Sequence, residues 1–283
     1  MSSKLLSLLT IALFLDLFLW YVSFFPPSSR LSLYFLSVGQ GDAELIELPG
    51  PRPARLLVDS GPPGGGVTSA LSPLMPLSGS RLDIAIATHA DLDHSGDFPA
   101  VFSRYPVSVF IENGLPGTTA AWQKVQTSLM EHQIPSVSLR AGDRILYASS
   151  TVSVLYPPAA AFGVNTNVNA IVLLVDSGGH RALFTSDIDA AAEEKIAANY
   201  NLKDIDILKV AHHGSKYSSS SIFLNAVRPA VSVIEVGRNS YGHPTSAALA
   251  NLAAVGSRVF RTDRDGTVKI TFAGSRAIIS SLR

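Results

Sequence analysis

The chain contains no cysteine among its 283 residues. This absence excludes disulfide frameworks, zinc sites built on thiolates, and catalysis by a cysteine nucleophile. It is compatible with an oxidising compartment but does not by itself indicate one. Any metal site must therefore be built from side chains other than cysteine.

Charged residues are scarce as well. Only 16% of the residues are charged, and 22 basic residues balance 22 acidic ones. With 47% hydrophobic residues the chain is too apolar to be disordered, and its zero net charge gives no global signature of nucleic-acid binding. Residues 201–283 nevertheless hold 11 Lys and Arg against 5 Asp and Glu. This excess is either scattered over a solvated surface or forms a weakly basic face.

Residues 5–25, LLSLLTIALFLDLFLWYVSFF, form a long and almost continuous apolar run. About 20 apolar residues are enough to span a bilayer. The Pro26-Pro27 pair then stops any helix, and the run lacks the small-residue site at which signal peptides are cleaved. We therefore predict an uncleaved single-pass membrane anchor and Pro-rich linker over residues 1–29, followed by one catalytic domain over residues 30–283.

Two features of the run bear on its partners and its orientation. Asp16 lies at its middle, where a carboxylate is costly, so this residue is either protonated or faces a partner helix in the membrane. Lys4 and the terminal amine precede the run and Arg30 follows it. This small excess of positive charge predicts that the N-terminus is inside and the catalytic domain is extracytoplasmic.

From Leu31 onward, strand-like and helix-like segments alternate. The predicted strands cover residues 31–38, 44–48, 54–61, 82–90, 107–113, 144–147, 151–157, 170–178, 180–187, 204–214 and 231–237. The predicted helices begin near Ser95 or Asp97 and cover residues 119–134, 190–200 and 246–256. Two clusters of short strands with helices between and outside them predict an α/β fold, a four-layer αββα sandwich.

The loop ATHADLDHSGD, residues 87–97, carries four potential metal ligands directly after an apolar strand: His89, Asp91, Asp93 and His94. Alternate side chains of such a loop can point at one metal while their neighbours point at a second. Imidazole suits zinc, iron or manganese, and carboxylate oxygen favours harder ions. A helix-capping turn would need only one such residue, so the pattern indicates a metal site.

Other polar residues follow other strands, and five of the seven histidines lie at strand ends. Asp187 is a candidate bridging ligand or the N-cap of the next helix. His212 and His213 are candidate ligands or part of a solvated turn. His243, in YGHP, is a site residue or simple turn chemistry. Side chains at strand ends can converge on one edge of a sandwich, where ligands commonly bind.

Together these motifs resemble a metallo-β-lactamase-fold hydrolase and, more specifically, the C-terminal domain of the ComEC/Rec2 competence proteins. The matching stretches are LSVGQGDA (36–43), LLVDSG (56–61), THADLDHSGD (88–97), NVNAIVLLV (167–175), LFTSDID (183–189), LKVAHHGSKYSSS (208–220), VGRNSYGHP (236–244) and RVFRTDRDGTV (258–268). The resemblance implies the αββα sandwich, two divalent metal ions (manganese or zinc), and a phosphodiesterase or nuclease acting on single- or double-stranded DNA during DNA uptake at the membrane.

The resemblance also implies roles for individual residues. The implied metal ligands are His89, Asp91, Asp93, His94, Asp187 and one or both of His212 and His213. The implied catalytic residues are Asp93, His213 and His243, and either His243 or the non-ligating histidine of the pair would protonate the leaving oxygen. The implied substrate-binding residues are Asn167, Asn169, Lys209, Ser215, Lys216, Arg238 and His243, with the cations offsetting phosphate charge if they face the cleft.

Four positions depart from the family pattern: Ser37 replaces an aspartate, Asp97 and Ser186 replace glycines, and Ala170 replaces a serine. None of these changes removes a predicted ligand. Two alternative functions stay open. The chain could be another hydrolase of this fold, such as a phosphocholine or teichoic-acid esterase, a lactonase or a β-lactamase. It could also be a non-catalytic subunit of a membrane DNA-uptake assembly, held by a partner helix at Asp16.

Overall fold

The computed structural model describes Ser7 and residues 10–17, 30–75, 80–115, 117–158, 169–274 and 276–282. Residues 10–17 are helical. Within the described residues, none of the helices combines the length and the apolar character needed to cross a bilayer. The predicted anchor over residues 5–25 and its linker through residue 29 lie mostly outside the described residues, so the span stays a prediction.

Fifteen strands in the described residues form two sheets. The first sheet contains β1 (Ser32–Phe35), β2 (Glu44–Leu48), β3 (Ala54–Val58), β4 (Ile84–Ile86), β5 (Phe110–Glu112), β6 (Ser136–Ser138), β14 (Thr267–Ala273) and β15 (Arg276–Leu282). The second contains β7 (Arg144–Tyr147), β8 (Ser150–Tyr156), β9 (Val172–Ser177), β10 (His180–Phe184), β11 (Ile207–Lys209), β12 (Val231–Ile234) and β13 (Arg258–Arg261). Their orders are β15-β14-β1-β2-β3-β4-β5-β6 and β13-β12-β11-β10-β9-β8-β7.

The helices are short. Their bounds are α1 (Val67–Leu71), α2 (Leu92–Ser95), α3 (Phe98–Arg104), α4 (Ala120–Glu131), α5 (Ala190–Asn199), α6 (Ser221–Val227), α7 (Ser246–Ala254) and α8 (Thr262–Asp265), with a 3₁₀ turn at Ala211–Gly214. Side-chain caps fix where several of them begin: Thr119 accepts the amide of Trp122, and Asp189 accepts the amide of Ala192.

The hydrophobic core has three layers. Side chains from both sheets fill the central one, where the Phe35 and Phe184 rings stack with centroids 5.8 Å apart. A second cluster packs α1, α3 and α4 on the outer face of the first sheet, and a third packs α5, α6 and α7 on the second sheet. The predicted two-sheet α/β sandwich with helices outside is therefore confirmed.

The direction of the strands places polar loops at one edge. β3, β4, β5 and β6 are parallel, as are β10, β11, β12 and β13. Their carboxyl ends meet at the same end of the sandwich, because the loops after β4 and β10 are in contact. The predicted strands at 44–48 and 144–147 match the observed bounds. Most of the others end earlier than predicted, because their last residues leave the sheet to form these loops.

Candidate metal centre

The loop after β4 is clamped from both sides. A Cβ on Gly41 would lie 2.3 Å from the carbonyl oxygen of Asp93, so glycine is required where the GQGDA turn passes this loop. The amide of Asp42 donates to the same oxygen over 3.1 Å. On the other side, the amide and hydroxyl of Thr88 donate to the two carboxylate oxygens of Asp59 at 2.8 and 2.7 Å. The loop is therefore held in one conformation.

One trio of potential ligands consists of His89, His94 and Asp187. Their ligand atoms lie within 4.8 Å of one another, and all three residues are buried. The distance from His94 Nε2 to Asp187 Oδ1 is 3.3 Å, and the two imidazole centroids are 4.1 Å apart. Asp91 lies beside this trio, with its Oδ2 atom 3.7 Å from His89 Nε2. The structure thus brings four of the predicted ligands together.

Polar groups behind the trio orient both imidazoles. His89 Nδ1 lies 3.0 Å from Thr88 Oγ1, and His94 Nδ1 lies 2.7 Å from Asp59 Oδ2. A hydrogen-bond partner at Nδ1, the Thr88 hydroxyl for His89 and the Asp59 carboxylate for His94, orients each ring and directs Nε2 forward. Both histidines therefore present Nε2 towards Asp187.

A second trio consists of Asp93, His94 and His213, again with ligand atoms within 4.8 Å. The Nε2 atom of His213 lies 3.4 Å from Asp93 Oδ2 and 3.7 Å from Asp187 Oδ2. Its Nδ1 donates to the carbonyl oxygen of Glu235 over 2.8 Å, which fixes the ring. The two trios share His94, and Asp187 lies against both.

The two adjacent histidines sit in a strained turn. The segment 204–214 was predicted as one strand, but β11 ends at Lys209 and a 3₁₀ turn follows. His212 and His213 both have positive φ, 51° and 53°. Such values are uncommon outside glycine and collect at functional sites. His212 is the more open of the two: its side chain is 28% exposed, and its Nε2 lies 3.6 Å from Asp187 Oδ2.

Within the two trios, the carboxylates and the imidazoles stabilise one another's charged forms. Burial opposes ionisation of Asp187, but the imidazoles of His94 and His213 hold its pKa well below the ordinary value. Burial also opposes charge on His213, yet the carboxylates of Asp187 and Asp42 raise its pKa to about 10. Burial, and then the neighbouring His94, lower the pKa of His89 to about 4. In the metal-free chain, positive charge therefore lies on the imidazoles nearest the carboxylates.

Several ligand atoms are buried without any hydrogen-bond partner among the described residues. They are Nε2 of His89, His94 and His213, and Oδ1 of Asp187. A buried polar atom without a partner costs free energy unless an ion, a water molecule or a ligand satisfies it. Imidazole nitrogen and carboxylate oxygen are the donors that divalent cations take in proteins. The donor set therefore fits a divalent metal.

Beneath the trios lies a layer of fully buried charged groups that join the two sheets. Lys209 donates to the carboxylate of Asp42 and, over 3.2 Å, to the carbonyl oxygen of Ser186. The carboxyl groups of Glu44 and Glu235 lie close together in this layer, and burial raises the pKa of Glu44 to about 8. Lys209 was expected to contact substrate only if it faced the cleft. Its amine is completely buried, so it does not meet that condition.

Two asparagines were implied to bind substrate. Asn167 lies outside the described residues. Asn169 is buried, and its carbonyl oxygen accepts the side-chain amide of Asn113 at 3.0 Å. Two residues later, the amide of Ile171 donates to the carbonyl oxygen of Thr88 over 2.9 Å. The segment around Asn169 therefore runs beside the loop that carries His89, and its role in binding stays a prediction.

The remaining predicted substrate residues differ in their exposure. Ser215 is buried and its hydroxyl accepts a backbone amide, whereas Lys216 and Arg238 are exposed. His243 is half-buried, with an Nδ1 that has no hydrogen-bond partner among the described residues. The side chain of Asn239 holds it in place by pairing with both its amide and its carbonyl, at 3.0 and 2.9 Å.

The structure accounts for two departures from the family pattern. Ser186 takes a positive φ of 46°, where glycine would be unstrained, but its hydroxyl donates to Thr88 Oγ1 over 2.7 Å. Asp97 is the N-cap of α3, although it makes no side-chain capping bond. Its carboxylate instead accepts the amide of Gly64 at 3.2 Å, and its amide donates to Ser60 Oγ. Both residues thus tie the loop at 88–97 to neighbouring segments.

Sequence reasoning did not assign Asp42, Asp59 or Asn239 to the site. Asp42 and Asp59 lie within the quoted stretches LSVGQGDA and LLVDSG. Asp59 follows β3, whose neighbour β4 leads into the loop with His89 and His94, and Asp42 precedes β2, which pairs with β3. An aspartate at a strand end beside a predicted ligand is the signal that could have identified them. Asn239 lies in a turn, and nothing in the sequence distinguished it from other turn asparagines.

The chain is similar in sequence to part of several curated proteins. It is 28% identical to ComE operon protein 3 of Bacillus subtilis over 262 residues, which is 87% of this chain and 33% of that protein. It is 30% identical to Recombination protein 2 of Haemophilus influenzae over 252 residues, 88% of this chain and 30% of that protein. The chain therefore spans about a third of the length of the curated relatives it matches.

Solved structures agree on the fold. The metallo-beta-lactamase fold protein YhfI from Bacillus subtilis superposes with a TM-score of 0.59 at 12% identity, over 86% of this chain and all of that one. CmlA, a diiron beta-hydroxylase from Streptomyces venezuelae, superposes with a TM-score of 0.54 at 14% identity, over 87% of this chain and 54% of that one. A family model described as metallo-beta-lactamase superfamily matches residues 38–237. The chain belongs to the metallo-beta-lactamase superfamily.

Proposed function

We propose that the chain is a metal-dependent phosphodiesterase that cleaves DNA, working with two divalent ions, manganese or zinc. The observation that carries the proposal is the convergence of unpartnered, buried ligand atoms from His89, His94, Asp187 and His213. The two overlapping trios offer two neighbouring positions for cations. The carboxylates in this set favour a hard ion, which makes manganese at least as good a fit as zinc.

The side chains divide the chemical work. His89, His94 and Asp187 would hold one ion, with Asp91 beside them, and Asp93, His94 and His213 would hold the other. A divalent cation at such a site polarises a phosphoryl oxygen and makes water nucleophilic near neutral pH. The residues of the two trios and their neighbours would position the ions, the phosphoryl oxygen and the water.

The open side of the site supplies the remaining roles. His243 has a free Nδ1, and its ring centroid lies 5.7 Å from that of the partly exposed His212. Either imidazole can donate a proton to the leaving oxygen. Lys216 and Arg238 are exposed beside this turn, where their charges offset those of the phosphate.

The proposed setting is DNA uptake at a membrane. The curated relatives that support it include proteins named for competence and recombination. The apolar run at residues 5–25 would anchor the chain with the catalytic domain on the extracytoplasmic side. Extraction of membranes with carbonate tests the anchor: a chain released into the soluble fraction would contradict it.

A substrate panel tests the activity. The full chain in mild detergent, loaded with manganese or zinc, is expected to hydrolyse bis-p-nitrophenyl phosphate and DNA but not nitrocefin. Asp187→Asn removes a carboxylate that lies against both trios and should reduce turnover by at least about a hundredfold. Metal content measured on the same samples is the control. Bound metal without phosphodiester cleavage would overturn the proposal, and cleavage of nitrocefin alone would favour a β-lactamase.

A further inference from the structure

Two exposed aromatic residues lie close in sequence to histidines of the site. Among the described residues from Arg30 onward, Tyr217 and Tyr241 are the only aromatic residues that are mostly exposed, at 65% and 72%. Tyr217 follows His213 by four residues, and Tyr241 precedes His243 by two. Exposed rings that are neighbours of site residues in sequence are candidates for contact with a ligand.

Both tyrosines are fixed by their backbones, although their rings are free. The amide of Tyr241 donates to Asn239 Oδ1 at 3.1 Å, the same oxygen that accepts the amide of His243. The carbonyl oxygen of Tyr217 accepts the amide of Ala190 at 2.9 Å. The backbones that carry the two rings are therefore held in place, which lowers the conformational entropy lost when a ligand binds.

Planar side chains connect the Tyr241 ring to the candidate metal ligands. The Tyr241 and His243 centroids are 5.7 Å apart, and the His243 and His212 centroids are also 5.7 Å apart. His212 in turn reaches Asp187, with Nε2 3.6 Å from Oδ2. At the other ring, the amine of Lys216 lies 5.0 Å from the Tyr217 centroid. A polymer with flat, unpaired groups and a charged backbone fits this arrangement.

Charge alone would bind such a polymer weakly here. The net charge of the chain is zero, and the loop at 89–97 is acidic, so few phosphates can be neutralised. Stacking on aromatic rings is the other general source of affinity for nucleic acids and is available only to unpaired bases. Bases inside a duplex already stack on one another, so duplex DNA could not use these rings.

We infer that Tyr217, Tyr241, Lys216 and Arg238 form a rim that selects single-stranded polynucleotide by stacking two of its bases. The inference rests on the proposed phosphodiesterase function and deepens it by naming the form of the substrate. Each ring is expected to contribute about tenfold to a hundredfold in affinity.

The test compares ring removal with ring retention. Tyr241→Ala and Tyr217→Ala are assayed against Tyr241→Phe and Tyr217→Phe in the full chain with manganese. The substrates are a labelled single-stranded 20-mer, an abasic strand of the same length and bis-p-nitrophenyl phosphate. Each alanine variant should raise KM for the 20-mer about tenfold relative to the small ester, and each phenylalanine variant should stay within about twofold. The abasic strand should not distinguish alanine from phenylalanine.

Leu146→Ala is the matched control, because Leu146 is also 72% exposed but lies on the edge strand β7, away from the metal trios. Equal cleavage of duplex and single-stranded DNA would contradict the inferred role of the rim. Alanine variants that behave like the wild type would contradict it as well. If the wild type holds metal but hydrolyses no phosphodiester, the proposed function fails. Fluorescence anisotropy then measures binding of the 20-mer, and the same comparison of alanine with phenylalanine variants tests the rim independently of cleavage.

Discussion

Lys209 and Asp42 form an ion pair in which both side chains are completely buried, and this pair joins the two sheets beneath the metal trios. Lys209 belongs to β11 of the second sheet, and Asp42 precedes β2 of the first. The other Asp42 oxygen lies 3.1 Å from His213 Nδ1. Burial on its own would favour neutral groups, but each partner holds the other charged. The pair therefore couples the packing of the sandwich to the position of a ligand.

Removal of the Lys209 charge should destabilise the chain strongly. Lys209→Met leaves the Asp42 carboxylate buried without its counter-ion, which typically costs about 3–5 kcal/mol. Urea denaturation of the chain in mild detergent measures the loss. Lys203→Met is the control, because Lys203 is exposed and its replacement should change the free energy of unfolding by less than about 0.5 kcal/mol. Equal midpoints for the two variants would contradict the role of the pair.

Much of the site could be predicted because its ligands follow apolar strands in sequence. His89, Asp93 and His94 share one short loop, and Asp187 and His213 each follow a strand of their own. The residues that orient them could not be derived in the same way. Asp59 meets His94 across 35 positions of the chain, and Asp42 meets Lys209 across 167. Such contacts depend on which strands become neighbours, which local pattern does not specify.

The same limit explains the fold predictions. Short apolar runs bounded by turn residues indicated the two sheets, because strands buried on both faces are almost continuously apolar. Strand β6 was missed because all three of its residues are exposed, so it carries no such pattern. The resemblance implied that Lys209 contacts the substrate if it faces the cleft, and only the pairing with Asp42 reveals that its amine is buried.

Ser186 offers a test of strain against hydrogen bonding. Its positive φ costs a non-glycine residue about 1–2 kcal/mol, and its hydrogen bond to Thr88 returns about 1 kcal/mol. Ser186→Gly removes both and should leave the free energy of unfolding within about 1 kcal/mol of the wild type. Ser186→Ala keeps the strain and loses the bond, so it should be the less stable variant by about 1–2 kcal/mol. The reverse order in urea denaturation would show that the strain is unimportant.

The metal-free chain should lose stability as the pH rises from 6 to 9. The pKa of His213 is raised from about 6.5 to about 10, so the stability from its charged form is complete below pH 6.5 and disappears as the pH passes 10. The pKa of Glu44 is raised to about 8, so its ionisation in the folded chain also becomes costly over this range. Thermal unfolding after treatment with EDTA measures the effect.

The metal-loaded chain is the control for this pH series. Ligating imidazoles are already deprotonated when metal is bound, so the decrease in melting temperature should be smaller than in the metal-free chain. Parallel changes in both samples would mean that the titrating groups lie elsewhere. A melting temperature that rises with pH in the metal-free chain would contradict the predicted sign.

His213, rather than His212, should be the histidine of the pair that holds metal. His213 is buried, its Nδ1 is fixed by a carbonyl oxygen, and its unpartnered Nε2 lies within 4 Å of two carboxylates. His212 is partly exposed, and within the described part of the chain Asp187 is the one carboxylate within 4 Å of it. We expect His213→Ala to weaken manganese binding by about a hundredfold, and His212→Ala to retain the metal but lose turnover. Metal titration and phosphodiester hydrolysis on the same preparations separate the two effects. Loss of metal from His212→Ala but not from His213→Ala would reverse the two assignments.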